Sequence, residues 1–194
     1  FAREWRFLLS NAVPTWIEAI LGFGLGNALG VIMAVIFVYS PRVRAAYFPV
    51  VLLFNTIPVL ALAPIIILIF GLGMLPKVII AALLCFFPTL VNTARGLQLA
   101  TPNELELMHV LSASGSETFW RLRAPRAAPL LFASLRISAT TCVIGAIVGE
   151  WVGANMGLGA LILDATFNFR SALLYATVFL SSGLSVLLFA CVTL

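Results

Sequence analysis

The chain has 194 residues, of which 62% are hydrophobic and only 9% are charged. Soluble domains carry about 25% charged residues, so this composition excludes an ordinary soluble domain and indicates an integral membrane protein. The formal net charge of +4 does not indicate a nucleic-acid partner, because the basic residues are scattered between apolar runs and form no patch.

The first two predicted elements are a short interfacial helix and a membrane span. Residues 1–11 place three charged side chains around Trp5, which is typical of a helix at the membrane surface. Residues 19–39 contain no charge, and these 21 residues are enough to cross a membrane. The chain begins without Met and ends in an apolar run, so we expect truncated termini and a further N-terminal span upstream.

Small residues recur every four positions in this first span, at Gly22, Gly26, Gly30 and Ala34. They share one helical face, and this pattern predicts close packing against another transmembrane helix. Lining a polar pathway is the alternative role.

The next apolar run, residues 45–76, is too long for one straight span and is punctuated by prolines and glycines. One kinked span and an exit loop are predicted, because proline frees backbone carbonyls that must find partners within a membrane. Asn55 and Thr56 lie roughly ten residues into this run, which at about 1.5 Å per residue is near the bilayer middle. They are candidates for a polar pathway, and hydrogen bonding between helices is the alternative.

Three more spans follow, which gives five spans in an all-α integral membrane protein. The third begins at Lys77, the fourth covers residues 130–148, and the last covers residues 171–194. Seven of the eleven basic residues then fall on one side of the membrane, so the positive-inside rule places that side in the cytoplasm. A multi-pass protein of the bacterial cytoplasmic membrane is expected.

Polar side chains in these later spans are further candidates for the pathway. Asn92 and Thr93 belong to the third span, and Thr140 and Thr141 belong to the fourth. Glu150 closes the fourth span, and an ionisable group there suggests a functional role such as a gate. The alternative, which we favour, is that Glu150 reaches the outer interface and only anchors the helix.

The one long polar interval, Asn103 to Pro129, lies on the basic side and holds three of the seven acidic residues. It predicts a helical hairpin outside the membrane. Capping chemistry at residues 101–103 starts the first helix, and residues 112–115 end it. A second short helix is predicted to run to Pro125.

Motifs for catalysis and metal binding are missing from the sequence. The chain has no GxxxxGK[ST] loop for phosphate, and its single histidine, His109, has no Cys or His at ligand spacing. No Ser-His-Asp or Gly-x-Ser-x-Gly arrangement is present either. The sequence therefore predicts neither an enzyme nor a protein that binds ATP by itself.

The hairpin resembles a loop found in permease subunits of binding-protein-dependent ATP-binding-cassette importers. That loop has the form Glu-Ala-Ala, three residues, Gly, nine residues, Ile-x-Leu-Pro. Here Glu106 and Pro125 match its first and last residues, Ser112 replaces the glycine, and Leu122 and Ala124 replace Ile and Leu at intact spacing.

Other stretches, FFPTLVNTARGL, SASGSETFWRLRAPRAAPLLFASLRI and GEWVGANMGLGALIL, resemble one branch of these importers. That branch imports nitrate, bicarbonate, alkanesulfonates, taurine and thiamine-pyrimidine precursors. The resemblance covers the chain from about Trp5 to its end and implies a single permease domain with a type I importer fold.

The resemblance implies that the hairpin is a coupling element resting on an ATPase subunit. Ser112 is tolerable at the glycine position if the turn needs no positive φ, and Gly115 is the alternative residue for that role. The residues implied to contact the ATPase are Glu104, Glu106, His109, Ser112, Ala113, Ser114, Gly115, Thr118 and Pro125.

The implied partners are ATP-binding-cassette subunits, a periplasmic or lipid-anchored substrate-binding protein, and a second permease copy that forms a homodimer. The chain itself would hold no cofactor, since ATP and magnesium would bind the ATPase. A passive channel or a membrane scaffold subunit is the alternative function. Within the branch, GEWVGA is most similar to permeases for pyrimidine-type nutrients.

Overall fold

The structure is a computed structural model that describes the backbone of residues 2–194 and the side chains from Trp5 onward. Phe1, where the predicted interfacial helix begins, lies outside the described residues. The described part of the chain is helical with short connections. Its elements are α1 (Ala2–Tyr39), α2 (Pro41–Thr56), α3 (Val59–Phe70), α4 (Met74–Leu97), α5 (Pro102–Val110), α6 (Gly115–Thr118), a π-helical segment (Phe119–Arg123), α7 (Ala124–Glu150), α8 (Leu158–Phe167) and α9 (Ser171–Thr193).

Four continuous helical stretches are long and apolar enough to cross a membrane. Helices α2 and α3 meet at an angle of 105° and make a fifth span if the bent pair is counted as one. The break follows from Pro58, which has no amide hydrogen and acts as the N-cap of α3. The predicted break in the second apolar run is confirmed, and the predicted five spans correspond to these four stretches with the bent pair counted as one more.

The interfacial helix predicted for residues 1–11 is not a separate element, because α1 runs without a break from Ala2 to Tyr39. Pro14 lies inside α1 and does not end it. Asn11 and Thr15 are buried rather than placed at a membrane surface, since they face other helices of the bundle. Hydrophobicity alone could not show this packing.

Helix α4 is the centre of the bundle and packs along both α1 and α7. The small residues of α1 face it: Gly22 lies against Ala81, and Gly26 lies against the backbone of Ala82. Gly30 continues the same face beside Phe86. Gly145 and Gly149 of α7 also approach the α4 backbone, at Ala81 and Lys77. Such close approach requires residues without large side chains.

We expect Gly26→Ala to destabilise the protein by about 1–3 kcal/mol, because its Cβ would overlap the Ala82 carbonyl group, which belongs to the backbone and cannot move aside. Gly24→Ala is the matched control, since no atom lies within 4 Å of the Cβ that it would add. Alanine favours helix over glycine by about 1 kcal/mol, so the control should be neutral or stabilising. Thermal unfolding in detergent measures both, and equal effects would contradict this packing.

Hydrogen bonds made by buried side chains add to this contact deep in the bundle. The Thr89 hydroxyl of α4 donates to Asn27 Oδ1 of α1 at 2.5 Å, and Ser138 Oγ of α7 donates to the Cys85 carbonyl at 3.3 Å. These groups are buried, and pairing removes the cost of leaving them unsatisfied.

Candidate functional site: the hairpin and a buried polar cluster

The first helix of the hairpin, α5, begins at a complete capping box. The Glu104 amide donates to Thr101 Oγ1 at 3.4 Å, and the Thr101 amide donates to Glu104 Oε2 at 2.9 Å. Pro102 occupies the first helical position, where its missing amide hydrogen costs nothing. This local chemistry agrees with the predicted start of the hairpin.

The turn after α5 depends on a left-handed residue, and that residue is Ser112, with φ of 53°. The Ser112 amide donates to the His109 carbonyl, and the Ala113 amide donates to the Met108 carbonyl, each at 2.9 Å. This pair of bonds is the Schellman pattern that satisfies the last carbonyls of a helix. The turn therefore needs a positive φ, and Ser112 itself adopts it, whereas Gly115, the alternative residue for that role, begins α6.

Ser112→Gly is expected to stabilise the hairpin turn by about 0.5–1 kcal/mol, because glycine adopts positive φ without the steric cost of a Cβ. Hydrogen exchange of the amides at residues 111–114 should slow accordingly. Ser116→Gly is the control, since it puts glycine inside α6 and should speed local exchange. Faster exchange in Ser112→Gly would contradict the assignment of this turn.

The second arm of the hairpin begins at another capping box, formed by Ser114 and Glu117. Hydrogen bonds from the amide and the hydroxyl of Ser114 hold the pKa of the exposed Glu117 carboxyl below its usual value. The Thr118 hydroxyl donates to the Ser114 carbonyl at 3.0 Å. The two arms are thus locally rigid, although most of their side chains are exposed.

The second arm does not end at Pro125, contrary to the prediction, because it continues through the π-helical segment into α7. The Ala124 amide donates to the Phe119 carbonyl, five residues back, and Pro125 needs no bond because it has no amide hydrogen. The second arm is therefore the first part of one continuous helical stretch, residues 115–150, that also forms a span.

One arginine holds the two arms of the hairpin together, and another fixes the hairpin to α4. Arg126 at the start of α7 pairs with Glu104 of α5. Arg123 donates from Nη1 to the Leu97 carbonyl at the end of α4, at 2.9 Å. The first contact joins the two arms of the hairpin, and the second joins the hairpin to the end of α4.

The hairpin tip presents a mixed apolar and polar surface. Glu106 and His109 are exposed beside Val110 and Leu111, whose exposed fractions are 73% and 66%. Large apolar side chains at such exposure in a capped, rigid element mark a surface suited to a protein partner.

The six neutral side chains predicted to line a pathway make no hydrogen bonds to one another among the described residues. Asn92 donates to the Pro88 carbonyl at 2.9 Å, while the hydroxyls of Thr140 and Thr141 both donate to the Ile137 carbonyl of their own helix. Thr93 Oγ1 is buried and has no hydrogen-bond partner among the described residues.

Asn55 and Thr56 lie at the end of α2, immediately before the break. Asn55 borders a cavity of about 300 Å³ between the bent pair and α4, whereas Thr56 donates to the Leu53 carbonyl at 2.7 Å. The other residues lining this cavity are uncharged, and aromatic rings such as Phe54 and Phe87 are prominent among them.

Glu150 lies at the opposite end of α7 from the hairpin and is only 1% exposed, so the interpretation that it anchors the helix at the interface is wrong. Its carboxylate accepts hydrogen bonds from Thr15 Oγ1 at 2.6 Å and from the Gly159 amide at 2.5 Å. Thr15 in turn accepts from the Leu158 amide at 2.9 Å, and Asn11 Oδ1 accepts from the Gly157 amide at 3.1 Å. Side chains of α1 and α7 thereby cap the buried N-terminus of α8.

A buried ion pair completes this polar cluster. Lys77 Nζ of α4 lies 2.8 Å from Glu18 Oε1 of α1, and Glu18 is 2% exposed. Asn11, Thr15, Glu18 and Lys77 were not among the candidates from sequence. The sequence signal for three of them is the spacing of Asn11, Thr15 and Glu18, which puts three polar side chains on one face of an apolar helix.

Comparison with known proteins assigns this architecture to a family. Residues 26–194 match the family described as binding-protein-dependent transport system inner membrane component. The chain belongs to this permease family. The predicted resemblance is confirmed.

Individual relatives agree with the assignment. The formylaminopyrimidine transport permease protein ThiX of Halalkalibacterium halodurans is 38% identical over 172 residues, which cover 89% of this chain and 69% of that protein. The riboflavin transport system permease protein RibX of Chloroflexus aurantiacus is 40% identical over 128 residues, which cover 66% of this chain and 47% of that protein.

The fold also matches a solved structure. The MetNI methionine ABC transporter, in inward-facing conformations, superposes with a TM-score of 0.73 at 18% identity and covers 97% of this chain and 92% of that one. The expected type I importer fold is therefore confirmed. The chain is the permease component of an ABC importer for nutrients, and such permease subunits are not enzymes themselves.

Proposed function

We propose that the hairpin of residues 103–129 is the coupling element of this permease and that it lies in the cytoplasm of a bacterial cell against an ATPase subunit. The observation that carries the proposal is its construction. It is capped at both arms, exposed at its tip, and continuous with the span that follows. ATP and magnesium would bind the ATPase, whose closure would move the hairpin as a rigid element.

The rest of the importer follows from the same proposal. A substrate-binding protein delivers the nutrient on the side of Glu150 and α8, and a second copy of this chain supplies the other half of the pathway. Support for a second copy comes from α2, which contains no buried residue although it is largely apolar. A face of this kind is free to contact a second subunit, although lipid would cover it in a single copy.

Charge changes at the tip of the hairpin test the coupling role. Glu106→Lys and Ser112→Arg, each co-expressed with the ATPase and the binding protein, should abolish ATP-dependent uptake while the permease still accumulates in the membrane. Arg42→Glu is the control, since Arg42 is exposed on the same side but lies outside the hairpin. Undiminished uptake in both hairpin variants would refute the coupling role.

We propose an uncharged, pyrimidine-type nutrient as the substrate. The cavity beside Asn55 supports this choice, because its lining offers an amide and aromatic rings and includes no charged side chain. Nitrate, or the sulfonate group of taurine, would be expected to need a cationic or amide-rich site. Competition among labelled pyrimidines, riboflavin, taurine and nitrate for uptake tests the choice, and preference for taurine or nitrate would contradict it.

A further inference from the structure

A second cavity lies at the root of the hairpin, where the end of α1, the start of α2, the connection from α4 to α5, and the π-helical segment meet. Its volume is about 310 Å³. Its polar lining comes from Arg44, Arg123 and Gln98, and its apolar lining includes Phe37, Val38 and Leu105. The cavity is separate from the exposed tip of the hairpin and from the cavity beside Asn55.

Arg123 is held in a fixed orientation in this cavity. Its Nη1 donates to the Leu97 carbonyl at 2.9 Å, and its guanidinium lies 5.9 Å from the centroid of the Tyr39 ring. Both contacts restrict the side chain but leave other N–H groups of the guanidinium free, since an arginine has five such donors. The geometry therefore presents fixed donors to an acceptor in the cavity.

The charge of the cavity is uncompensated. No carboxylate lines it within the part of the chain that the structure describes. Leu105 of the lining is flanked in sequence by Glu104, which pairs with Arg126, and by Glu106, which is exposed at the tip of the hairpin. Arg44 contacts the Phe48 ring, at 6.0 Å from its centroid, and this contact leaves its charge in place. Two guanidinium groups thus face one cavity without a counter-ion, which favours an anion.

The surrounding aromatic residues place the cavity at the depth of lipid headgroups. Tyr39 is the last residue of α1, and its ring centroid lies 6.3 Å from that of Phe119. Trp120 follows Phe119 in the chain and has an exposed fraction of 69%. Tyrosine and tryptophan concentrate at the boundary between membrane and water. Phe37 and Val38 then extend the wall toward the apolar part of α1.

We propose that this cavity binds the phosphate headgroup of an anionic phospholipid. The two arginines bind the phosphate oxygens, and the apolar wall contacts the start of the acyl chains. Inorganic phosphate would also bind the two arginines, but it has no acyl chain to contact the apolar wall. The proposal concerns the permease and its lipid, and it does not depend on which nutrient is imported.

Lipid binding to the purified transporter, assembled with its ATPase subunits, tests this site. Native mass spectrometry with added phosphatidylglycerol or phosphatidylcholine measures affinity for each lipid, and inorganic phosphate is added as a competitor. An arginine near a membrane surface contributes about 1 kcal/mol to anionic lipid binding, so Arg44→Gln should weaken phosphatidylglycerol binding on the order of fivefold. Phosphatidylcholine should bind weakly to the parent protein and to the Arg44→Gln variant.

Arg42→Gln is the matched control, since it removes the same charge from the same helical turn but does not line the cavity. It should leave phosphatidylglycerol affinity nearly unchanged, and Arg123→Lys should weaken it while retaining the charge. Equal losses in Arg42→Gln and Arg44→Gln would overturn the proposal in favour of general surface charge. Displacement of the lipid by phosphate, or loss of bound ATPase without loss of lipid in Arg44→Gln, would also overturn it.

Discussion

Glu150→Ala is expected to destabilise the protein on the order of 3–5 kcal/mol, because it leaves a cavity and removes the acceptor of the Gly159 amide. The amide would remain buried at the N-terminus of α8, where few alternative acceptors exist. Thr15 can still donate to the Asn11 carbonyl at 3.2 Å, so its loss is smaller. The folded fraction after heating in detergent, followed by size-exclusion chromatography, measures the effect.

Two variants make this prediction specific. Glu150→Gln keeps a carbonyl oxygen and should lie within about 1 kcal/mol of the parent protein, since hydrogen bonding is largely retained. Asp164→Asn changes an exposed carboxylate whose Arg170 partner is 3.5 Å away, and it should also cost no more than about 1 kcal/mol. If Glu150→Ala is as stable as Asp164→Asn, the buried cluster does not hold α8.

Lys77→Met should cost about 3–5 kcal/mol, because it leaves the Glu18 carboxylate buried without its cation. Methionine has a similar length, so loss of packing is a minor part of the change. A lower unfolding temperature and reduced accumulation in the membrane are the expected observations.

The double variant Glu18→Gln, Lys77→Met separates charge from packing. Removing both charges should recover much of the lost stability, because neither partner is then left unpaired. If the double variant is no more stable than Lys77→Met, Lys77 does not stabilise the protein through its ion pair with Glu18.

The spans and the hairpin could be predicted because their signals are local. Uncharged runs define the spans, and Thr101 with Glu104 forms a capping box within four consecutive residues. The repeat of Gly22, Gly26 and Gly30 predicted a packing face but not its partner helix. The sequence predicts that a helix ends at Pro125. The helix continues instead, because of the π-helical geometry just before Pro125, which the sequence does not show.

The buried cluster could not be predicted because it joins residues far apart in the chain. Thr15 and Glu150 are separated by 135 positions, and each alone has an ordinary interpretation at the end of a span. The left-handed conformation of Ser112 could not be predicted, because positive φ favours glycine over other residues by about 1 kcal/mol per residue. The two hydrogen bonds of the Schellman turn offset a cost of that size.

One continuous helical stretch connects the hairpin to the buried cluster around Glu150. Residues 115–150 are continuous and, at about 1.5 Å per residue, span roughly 54 Å from the hairpin to Glu150. A displacement of the hairpin would therefore reach the capping contacts of α8 through a rigid element. Weakening those contacts offers a physical route from ATPase closure to opening on the far side.

Concentrative uptake into proteoliposomes tests the central claim most directly. The permease, its ATPase and its binding protein are reconstituted with ATP on the hairpin side, and labelled formylaminopyrimidine, riboflavin, taurine and an alkanesulfonate are supplied one at a time on the other side. An importer predicts that one of them accumulates above its external concentration only when ATP is present. Equilibration to the same level with and without ATP would show a passive channel and contradict the account.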